Sequence, residues 1–345
     1  MAETGPIYHL YVGVDIAADT FTAAWLPTGG TPTAPLTCDQ SPTGHRCFQL
    51  RLLATGVAPA ETLVVLEATG NYWVALAVAL HEAGYQVSVV NPLRAHHFAK
   101  AQLRRAKTDA LDARDLARLA QALHPAPWTP PPPVYHEVRQ RLAARDALLD
   151  MRQQARNQRH ALLQWPVVVE GVRRHLDELI GDLDQRITSL DKEIAGALEG
   201  SVWATSLACL TSAPGIGLIT AAWLLVGTLN FTLCAGPTAL AAYAGLVPMP
   251  HESGRSIRGR PSIGHGGNAR LRTALYMATL SAAQHNPAIK VFYDRLRASG
   301  KPLKVARCAA ARKLLHQTWA LGSKLQHFDP GYQQQQPETR TDLTA

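Results

Sequence analysis

The 345-residue chain is poor in cysteine, and its few cysteines are not spaced as metal ligands or disulfide partners. There are five, an odd number, and no pair has C-x-x-C spacing. This pattern excludes a disulfide framework and a zinc site of that spacing, and it favours a reducing compartment. The N-terminus lacks the basic and apolar regions of a secretion signal. No uncharged apolar run is long enough to span a bilayer. We therefore expect a cytoplasmic protein with no membrane partner.

Acidic residues are almost missing from one long segment. Residues 250–312 contain twelve lysines and arginines but only Glu252 and Asp294 as acids, a net charge of +10 in a chain whose total is +8. The rest of the chain therefore carries −2. A basic excess confined to one segment is typical of proteins that bind a polyanion, usually nucleic acid. A solvated basic surface that keeps the chain soluble is the alternative.

The N-terminal third alternates short apolar runs with helical patterns. Strand patterns lie at 7–17, 20–27, 33–39, 62–70 and 85–92, and helical patterns at 41–55, 71–84 and 108–123. The predicted order is β-β-β-α-β-α-β-α. Antiparallel strands followed by βαβ units predict an α/β domain, a mixed sheet with flanking helices.

The remainder of the chain is predicted to be mostly helical. The stretch HPAPWTPPPPV (124–134) contains six prolines and indicates a stiff linker. Charged, leucine-rich sequence then predicts two long helices around a break at Trp165–Pro166, as a hairpin or an intermolecular coiled coil, with core packing within one chain as the alternative. A second compact unit follows, and the polar tail from 331 is predicted to be disordered. The predicted divisions are 1–124, a linker at 125–135, a helical spacer at 136–200, a C-terminal domain at 201–328 and a tail at 329–345.

Four acids in the N-terminal domain are candidate metal ligands. Asp15 and Glu67 end the first and fourth predicted strands, and Asp109 and Asp112 lie three residues apart on one helical face. In a sheet of this order the ends of those strands are neighbours, and the last helix can lie across them. Converging carboxylates repel unless hard cations neutralise them. Paired Mg²⁺ (or Mn²⁺) ions in such a site stabilise phosphoryl transfer.

Each acid also has a structural interpretation, although for Glu67 it conflicts with the cost of a charge that follows four apolar residues without a partner. Asp15 would be a strand-end turn residue, although Gly13 and the following alanines suggest an open approach to it. Asp109 would favour the positive end of its helix. Asp112 or Asp115 would be an i,i+3 partner of a nearby arginine.

The segment MPHESGRSIRGRPSIGHGGNARLRTALY (249–276) is either a flexible basic loop that holds a polyanion or the carrier of a nucleophilic serine. From the residues alone, Ser253, Ser256 and Ser262 compete equally. Glycines such as Gly254 and Gly259 allow a loop to approach a backbone closely. The candidate phosphate-binding residues of this segment are Arg255, Arg258, Arg260, Asn268, Arg270 and Arg272.

Two further segments are candidate nucleic-acid contacts. The P-G-I-G turn at Pro214–Gly217 would present backbone N–H groups, at Gly215 and Gly217, to a phosphate; a packing corner between helices is the alternative. The basic stretch KAQLRRAK would line a nucleic-acid channel, or be a solvated helix face. Its candidate residues are Lys100, Arg104, Arg105 and Lys107.

Long stretches of the chain resemble one family. They begin YVGVDIAADTFTAAWL, VVLEATGNYWVALAVAL and LTSAPGIGLITAAWLLV, and the resemblance extends to about residue 325. The family is that of the insertion-sequence transposases with an N-terminal DEDD domain, which act as bridge-RNA-guided serine recombinases. The two characteristic blocks appear in the family's order, with a helical spacer between them. His265 departs from the family pattern, in which a lysine or arginine is expected, and this bears on a phosphate contact.

The resemblance implies a fold and a mechanism. The N-terminal domain would be RNase H-like, similar to Holliday-junction resolvases, with Asp15, Glu67, Asp109 and Asp112 as its DEDD set. The C-terminal domain, with a helix-hairpin-helix-like element, would supply Ser253, which forms a phosphoserine linkage to DNA. The family acts as an oligomer, a dimer or tetramer, in which the acids of one subunit are completed by the serine domain of another. Its partners would be donor and target double-stranded DNA and a structured guide RNA, in the cytoplasm at the nucleoid.

Two other functions are compatible with the sequence. One is a metal-dependent, junction-type nuclease in which the acids activate water and the C-terminal domain only binds. The other is a nucleic-acid-binding remnant with no activity, against which the intact acids argue.

Overall fold

A computed structural model describes residues 7–68, 70–101, 109–253, 257–264 and 266–331, with the backbone alone for 109–111, 250–253 and 257–261. The tail from 332 and three residues of the predicted basic channel (Arg104, Arg105 and Lys107) lie outside the described residues, as do Arg255, Ser256 and His265. The chain divides into two units, Met1–Pro130 and Pro131–Ala345.

Unit one is built on a five-stranded mixed sheet, as the sequence predicts. Its strands are β1 Leu10–Ile16, β2 Thr20–Pro27, β3 Leu36–Asp39, β4 Thr62–Glu67 and β5 Gln86–Val90. Their order across the sheet is β3-β2-β1-β4-β5. The β1–β2 and β2–β3 pairs are antiparallel, and the β1–β4 and β4–β5 pairs are parallel. Strands β1 and β4 are buried along nearly their whole length, which explains their unbroken apolar sequence.

Helices cover both faces of this sheet. They are α1 Pro42–Leu53, α2 Trp73–Glu82, α3 Pro92–Ala101 and α4 Asp109–Leu123. Side chains of α1 and α2, such as Phe48 and Leu76, pack in one apolar cluster, and those of α4, such as Leu116 and Leu119, pack in another. The predicted order of elements was wrong in omitting α3. This helix has no fully buried residue and touches the core only through Ala95 and Phe98, so its apolar periodicity is weak.

Part of the proline-rich stretch belongs to the packing of unit one. The Trp128 backbone N–H donates to the Val87 carbonyl oxygen at 2.6 Å. Its ring meets Trp73 edge-on, with 5.4 Å between the ring centroids. These contacts fix the chain against β5 before it leaves the unit.

Unit two is mostly helical around one large apolar core. Its helices are α5 Pro133–Leu162, α6 Glu170–Glu199, α7 Ala204–Thr211, α8 Leu218–Thr228, α9 Pro237–Tyr243, α10 Ala269–His285, α11 Pro287–Ala298 and α12 Leu303–Lys324. Two short strands, β6 Met249–Ser253 and β7 Ile257–Ser262, form an antiparallel hairpin. Over the described residues, no single helix has the length and apolarity to cross a bilayer, although α6 and α7 taken together, bent by 118°, do by composition.

The long helices α5 and α6 form an antiparallel pair, which confirms the two predicted helices and the break between them. Ion pairs join the two helices at regular intervals. The Arg145 Nε lies 2.5 Å from Asp191 Oδ1, and the Arg159 Nη1 lies 2.9 Å from Asp177 Oδ1. An Arg152–Asp184 pair lies between them. The break covers residues 163–169, where Pro166 cannot supply a helical N–H.

Candidate nucleic-acid-processing site

Two of the four predicted acids lie side by side at one end of the sheet. Strands β1 and β4 are parallel neighbours in a register that pairs Val14 with Leu66, so Asp15 and Glu67 are the next residues on each strand. Both are half-buried. The carboxyl ends of adjacent parallel strands are only about 5 Å apart, which places the two acids within reach of a common ligand.

Helix α4 lies directly on β1 and runs antiparallel to it. At one end, the Tyr11 ring stacks on His124, with centroids 5.4 Å apart. Farther along, a Cβ on Gly13 would overlap the Ala113 carbonyl oxygen and the Ala117 amide nitrogen. The helix therefore approaches β1 as closely as a glycine allows. Continuing in the same direction, the N-terminal end of α4 comes to the end of β1 that carries Asp15.

The other two predicted acids belong to that end of α4. Asp109 is the first residue of the helix, although its side chain is outside the described part of the chain. Asp112 is half-buried and lies just before Ala113, the residue that covers Gly13. The fold thus brings the acid-bearing ends of β1, β4 and α4 to one edge, which we call the carboxylate edge. The expected open approach at Gly13 was wrong, because Gly13 is where α4 packs.

A fifth acid, Asp115, has a structural role. It is buried, and its Oδ1 accepts a 2.9 Å bond from Arg118 Nη1 three residues later on the same helix. This is the i,i+3 pairing considered for the acids of this helix. Asp112 is not part of that ion pair, and Asp15, Glu67 and Asp112 all have interactions of their own.

The donor types at the carboxylate edge suit a hard divalent cation. Carboxylate oxygens are the preferred ligands of such ions, and carboxylates at one edge repel one another without a cation. Within the described side chains, no group of three or more histidines, cysteines or acids is close enough to hold a metal ion. The Asp109 side chain is not among them.

In unit two, the predicted basic loop is a β-hairpin for most of its length, and we call β6 and β7 together the serine hairpin. Ser253, the last residue of β6, pairs with Ile257 of β7, and a bulge interrupts the register between Met249 and His251. The predicted flexible loop was wrong for these residues. Apolar and polar residues do not alternate cleanly in the two strands, so the sequence lacks the usual hairpin signal. The backbone places Ser253 directly beside the hairpin turn.

The base of this hairpin is closed by two glycine turns that pack on each other. Gly245 has φ +69° and Gly267 has φ +83°, and a Cβ on Gly267 would lie 2.6 Å from the Gly245 nitrogen. The Arg272 guanidinium fastens both turns, because its Nη1 donates to the Gly266 oxygen at 2.9 Å and to the Ala244 oxygen at 3.3 Å. We call this arrangement the hairpin base.

The other predicted phosphate ligands of α10 have protein partners. Asn268 caps the helix, since its Oδ1 accepts from the Leu271 N–H at 3.1 Å. The Arg270 Nη1 lies 2.8 Å from Asp146 Oδ2 on α5, and the Asp146 side chain is only 13% exposed. Burial raises the pKa of the Asp146 carboxyl, against the lowering effect of Arg270 and Arg145. The side chains of Arg258 and Arg260 lie outside the described residues.

The P-G-I-G turn joins α7 to α8, with its two glycines in different surroundings. Gly215 has φ +97°, and a Cβ there would lie 2.6 Å from the Ala282 Cβ of α10. It serves the packing of a helix corner. Gly217 is exposed at the start of α8 with open space around it. Lys100 of the predicted basic channel is exposed in the last turn of α3.

Sequence reasoning missed the residues that hold these sites together. Gly13 is a glycine inside a strand, a known signal of close backbone approach. Arg272 was predicted to bind phosphate, yet its described bonds are to backbone carbonyls. The sequence around Arg272 gives no signal for these bonds, because the two carbonyls belong to residues 6 and 28 positions earlier in the chain.

Two models of transposase families match the chain. A DEDD transposase model matches residues 12–165, which include the carboxylate edge, and a model of the IS116/IS110/IS902 transposase family matches residues 207–294, which include the serine hairpin. The DEDD domain implies dependence on a divalent metal.

Curated relatives agree with both matches. The pilin gene-inverting proteins of Moraxella bovis and Moraxella lacunata are each 32% identical to this chain over 321 residues, which is 92% of this chain and 97% of theirs. An uncharacterised protein of the insertion element IS110 from Streptomyces coelicolor is 35% identical over 166 residues, covering 47% of this chain and 40% of that protein. The matches cover both units and nearly the whole length of the Moraxella proteins, so this chain belongs to the IS116/IS110/IS902 family of transposases.

Proposed function

We propose that this transposase cuts and rejoins double-stranded DNA through a covalent phosphoserine intermediate formed by Ser253. The observation that carries the proposal is the carboxylate edge, where Asp15, Glu67 and the start of α4 meet. Gene inversion, which the names of the Moraxella proteins state, requires that strands be rejoined as well as cut. A covalent intermediate conserves the energy of the phosphodiester bond between those steps.

The sheet order supports an RNase H-like fold for unit one. The sheet is mixed and β1 and β4 are neighbours in the order β3-β2-β1-β4-β5, as the sequence predicts for a domain of this kind. Asp15, Glu67, Asp109 and Asp112 would be the metal ligands. When bound, Mg²⁺ (or Mn²⁺) would offset the charge of the scissile phosphate and favour ionisation of the attacking hydroxyl.

The serine step is a substitution at phosphorus. The Ser253 Oγ–P bond forms as the bond from phosphorus to one sugar oxygen breaks, and that oxygen leaves as a hydroxyl. Resealing reverses the step with a hydroxyl of the new partner strand. The position of Ser253 at the end of β6 supports this role, because its backbone is paired with Ile257 at the last position of the strand. Arg255, Arg258 and Arg260 would bind flanking phosphates.

Site selection is proposed to come from a guide RNA. The net charge of +10 between residues 250 and 312 supports a nucleic-acid partner of either kind. The family resemblance favours recognition of the DNA sequence by base pairing with the guide RNA. The protein would then contact the nucleic-acid backbone and recognise the shape of the duplex. We also propose that the protein acts as a homo-oligomer, with Ser253 of one subunit serving the carboxylates of another.

Trapping of the intermediate tests the proposed chemistry. The protein, with its element's RNA and labelled DNA, is denatured during the reaction and examined for labelled protein. We expect an adduct that Ser253→Ala abolishes and that the matched variant Ser262→Ala, on the other strand of the same hairpin, retains. An adduct that persists in Ser253→Ala would overturn the serine assignment.

The carboxylates are tested in the same assay. Asp15→Asn and Glu67→Gln should each reduce the adduct by at least about 10³-fold, because neutral amides hold a divalent cation poorly. Thermal unfolding should be unchanged or improved. DNA cleavage that needs the carboxylates but never yields an adduct would favour the junction-type nuclease. Full activity in EDTA would contradict the metal role.

A further inference from the structure

The hairpin of α11 and α12 carries a strong positive charge that neither the carboxylate edge nor the serine hairpin uses. Residues 287–324 contain nine lysines and arginines but a single acid, Asp294. That acid is paired within α11, where Lys290 Nζ lies 2.9 Å from Asp294 Oδ2. Among the described residues this is the helical hairpin's one ion pair, so most of its cations have no carboxylate partner.

In the α5–α6 pair, arginines that join the two helices have acidic partners within the chain. Many of its arginines face acids on the same or the facing helix, as in the Arg145–Asp191 and Arg159–Asp177 pairs. Both helix pairs lie in unit two. In α11–α12, over the part of the chain that the structure describes, the cations greatly outnumber the acids that could pair with them. This contrast indicates that their counter-charge comes from another molecule.

The charge is concentrated where the two helices join. Four cations lie within ten residues, and all four are exposed: Arg295, Arg297, Lys301 and Lys304. The join is well ordered by backbone bonds, since the Lys301 N–H donates to the Leu296 oxygen at 3.1 Å and the Gly300 N–H to the Arg297 oxygen at 3.0 Å. Gly300, at φ +77°, supplies the left-handed residue that the turn needs. A fixed turn holds its side chains in a smaller range of positions than a loose one.

A fifth cation is held beside this group through an aromatic ring. Arg295 lies over the Phe292 ring at 5.4 Å from its centroid, and Lys313 of α12 lies over the same ring at 4.9 Å. Burial and the charge of Arg295 lower the pKa of Lys313. Two like charges that share one ring repel each other, and a bound anion would relieve that repulsion.

Helix stability explains only part of the pattern. Arg295 and Arg297 lie in the last turn of α11, where cations favour the negative end of the helix. Lys304 lies in the first turn of α12, where the same effect is unfavourable, and α12 has no acid there. Lys301 lies between the two helices, so neither helix dipole stabilises its charge. These two lysines therefore require another explanation.

We propose that the α11–α12 tip, formed by Arg295, Arg297, Lys301 and Lys304 with Lys313 beside it, binds the sugar–phosphate backbone of a nucleic-acid duplex. Exposed cations clustered on one turn suit contact with the phosphate backbone, which supplies most protein–nucleic acid bonds and carries no sequence information. The proposal rests on the proposed function in taking nucleic acid as the ligand. It adds a contact surface formed by residues that belong to neither the serine hairpin nor the carboxylate edge.

The test is duplex binding by the full chain in EDTA, where no chemistry occurs, so its outcome does not depend on the serine mechanism. The variant is Arg295→Gln/Lys301→Gln/Lys304→Gln. The control is Arg174→Gln/Arg186→Gln/Lys192→Gln, three exposed cations of α6 in the same unit, with the same change in net charge. Binding to a DNA duplex of about 30 base pairs, long enough to span several phosphate contacts, and to an RNA duplex of equal length is measured over a range of salt concentrations.

We expect the tip variant to bind duplex at least about tenfold more weakly near physiological salt. The slope of log K against log salt should fall by about 0.9 for each DNA phosphate that the variant no longer neutralises. The control should keep the wild-type slope. A larger reduction on one duplex type would identify that nucleic acid as the ligand. Equal reductions in both variants would show an effect of net charge alone and overturn the proposal. Unchanged duplex binding by the tip variant would also overturn it, and a loss of binding to phosphatidylserine vesicles would then point to a membrane surface as the ligand.

Discussion

The carboxylate edge and the hairpin base are held in place by different forces. At the carboxylate edge, Gly13 lets the backbone of α4 come down on β1, so close packing in a buried core sets the position of the acids. At the hairpin base, Arg272 binds the exposed Gly266 carbonyl and the part-buried Ala244 carbonyl, so polar bonds set the position of the serine segment. Two of the acids end strands of a five-stranded sheet and two belong to the helix packed on it, whereas Ser253 belongs to a two-stranded hairpin.

This difference has a chemical consequence. Metal ligands need positions fixed to a fraction of an ångström, and rigid elements provide them. In the proposed mechanism, a serine that attacks one strand and later releases it to another gains from a support that can adjust. An atom added to a closely packed backbone contact lowers stability strongly, because the backbone cannot move away. A hydrogen bond near solvent costs less to lose, because water replaces it in part. The two regions should therefore respond to substitution by different amounts.

The largest effect is expected at Gly13. Gly13→Ala should lower the free energy of unfolding of unit one by about 3 kcal/mol, because the added Cβ overlaps backbone atoms of α4 that cannot rotate away. Gly181→Ala, on α6 where nothing lies within 4 Å, is the matched control. It should raise stability by about 0.5–1 kcal/mol. Chemical denaturation of both variants checks the opposite signs. Equal stabilities would show that α4 does not pack on β1 in this way.

A smaller effect is expected at the hairpin base. Arg272→Ala should lower the free energy of unfolding by about 1–2 kcal/mol, since the exposed Gly266 oxygen can bond water instead while the part-buried Ala244 oxygen loses a charged donor. The effect of Arg272 substitutions on recombination distinguishes a role in holding the hairpin base from a role in binding phosphate. If Arg272 acts as a clamp, Arg272→Lys should lose activity almost as Arg272→Ala does, because the shorter lysine side chain does not place its ammonium where Arg272 Nη1 meets both carbonyl oxygens. If Arg272 acts as a phosphate ligand, the lysine should retain most activity. We expect the clamp result.

The smallest effect is expected at Asp146, which anchors α10 to α5 through Arg270. Burial raises the pKa of Asp146 in the folded state, so the folded state binds the proton more tightly than the unfolded chain does. Stability is therefore lost as the pH rises from the ordinary aspartate pKa through the raised one. Asp146→Asn should remove this loss, with a slightly higher melting temperature than wild type near neutral pH and no gain well below the ordinary aspartate pKa. A lower melting temperature near neutral pH would show that the ion pair with Arg270 outweighs burial.

Much of unit one was predictable because its signals are local. Strands β1, β2 and β4 and helix α4 were found near their observed bounds from apolar runs and helical periodicity. The adjacency of β1 and β4 followed from the predicted element order, which is a topological rule. Helix α3 was missed because it buries almost nothing, and periodicity records only what is buried.

The serine segment was less predictable because its structure depends on distant partners. Glycine, serine and arginine composition indicates a loop, yet β6 and β7 pair with each other from Met249 to Ser262. The turns at Gly245 and Gly267 are adjacent only after the chain between them has folded. Nothing local to Arg272 indicates that its guanidinium binds carbonyls on both sides of that segment.

The sequence by itself determined the family, the mixed sheet and the two long helices, and it proposed the four candidate acids, because periodicity, residue type and long-range similarity are properties of the chain. Only the tertiary structure decided that Gly13 is a packing site rather than an opening, that Arg270 and Arg272 bind protein groups, and that the cations at the α11–α12 tip stand together on one exposed turn. These are questions of which atoms meet. The residue type of an arginine or a glycine does not reveal whether its partner is a helix, a carbonyl group or another molecule.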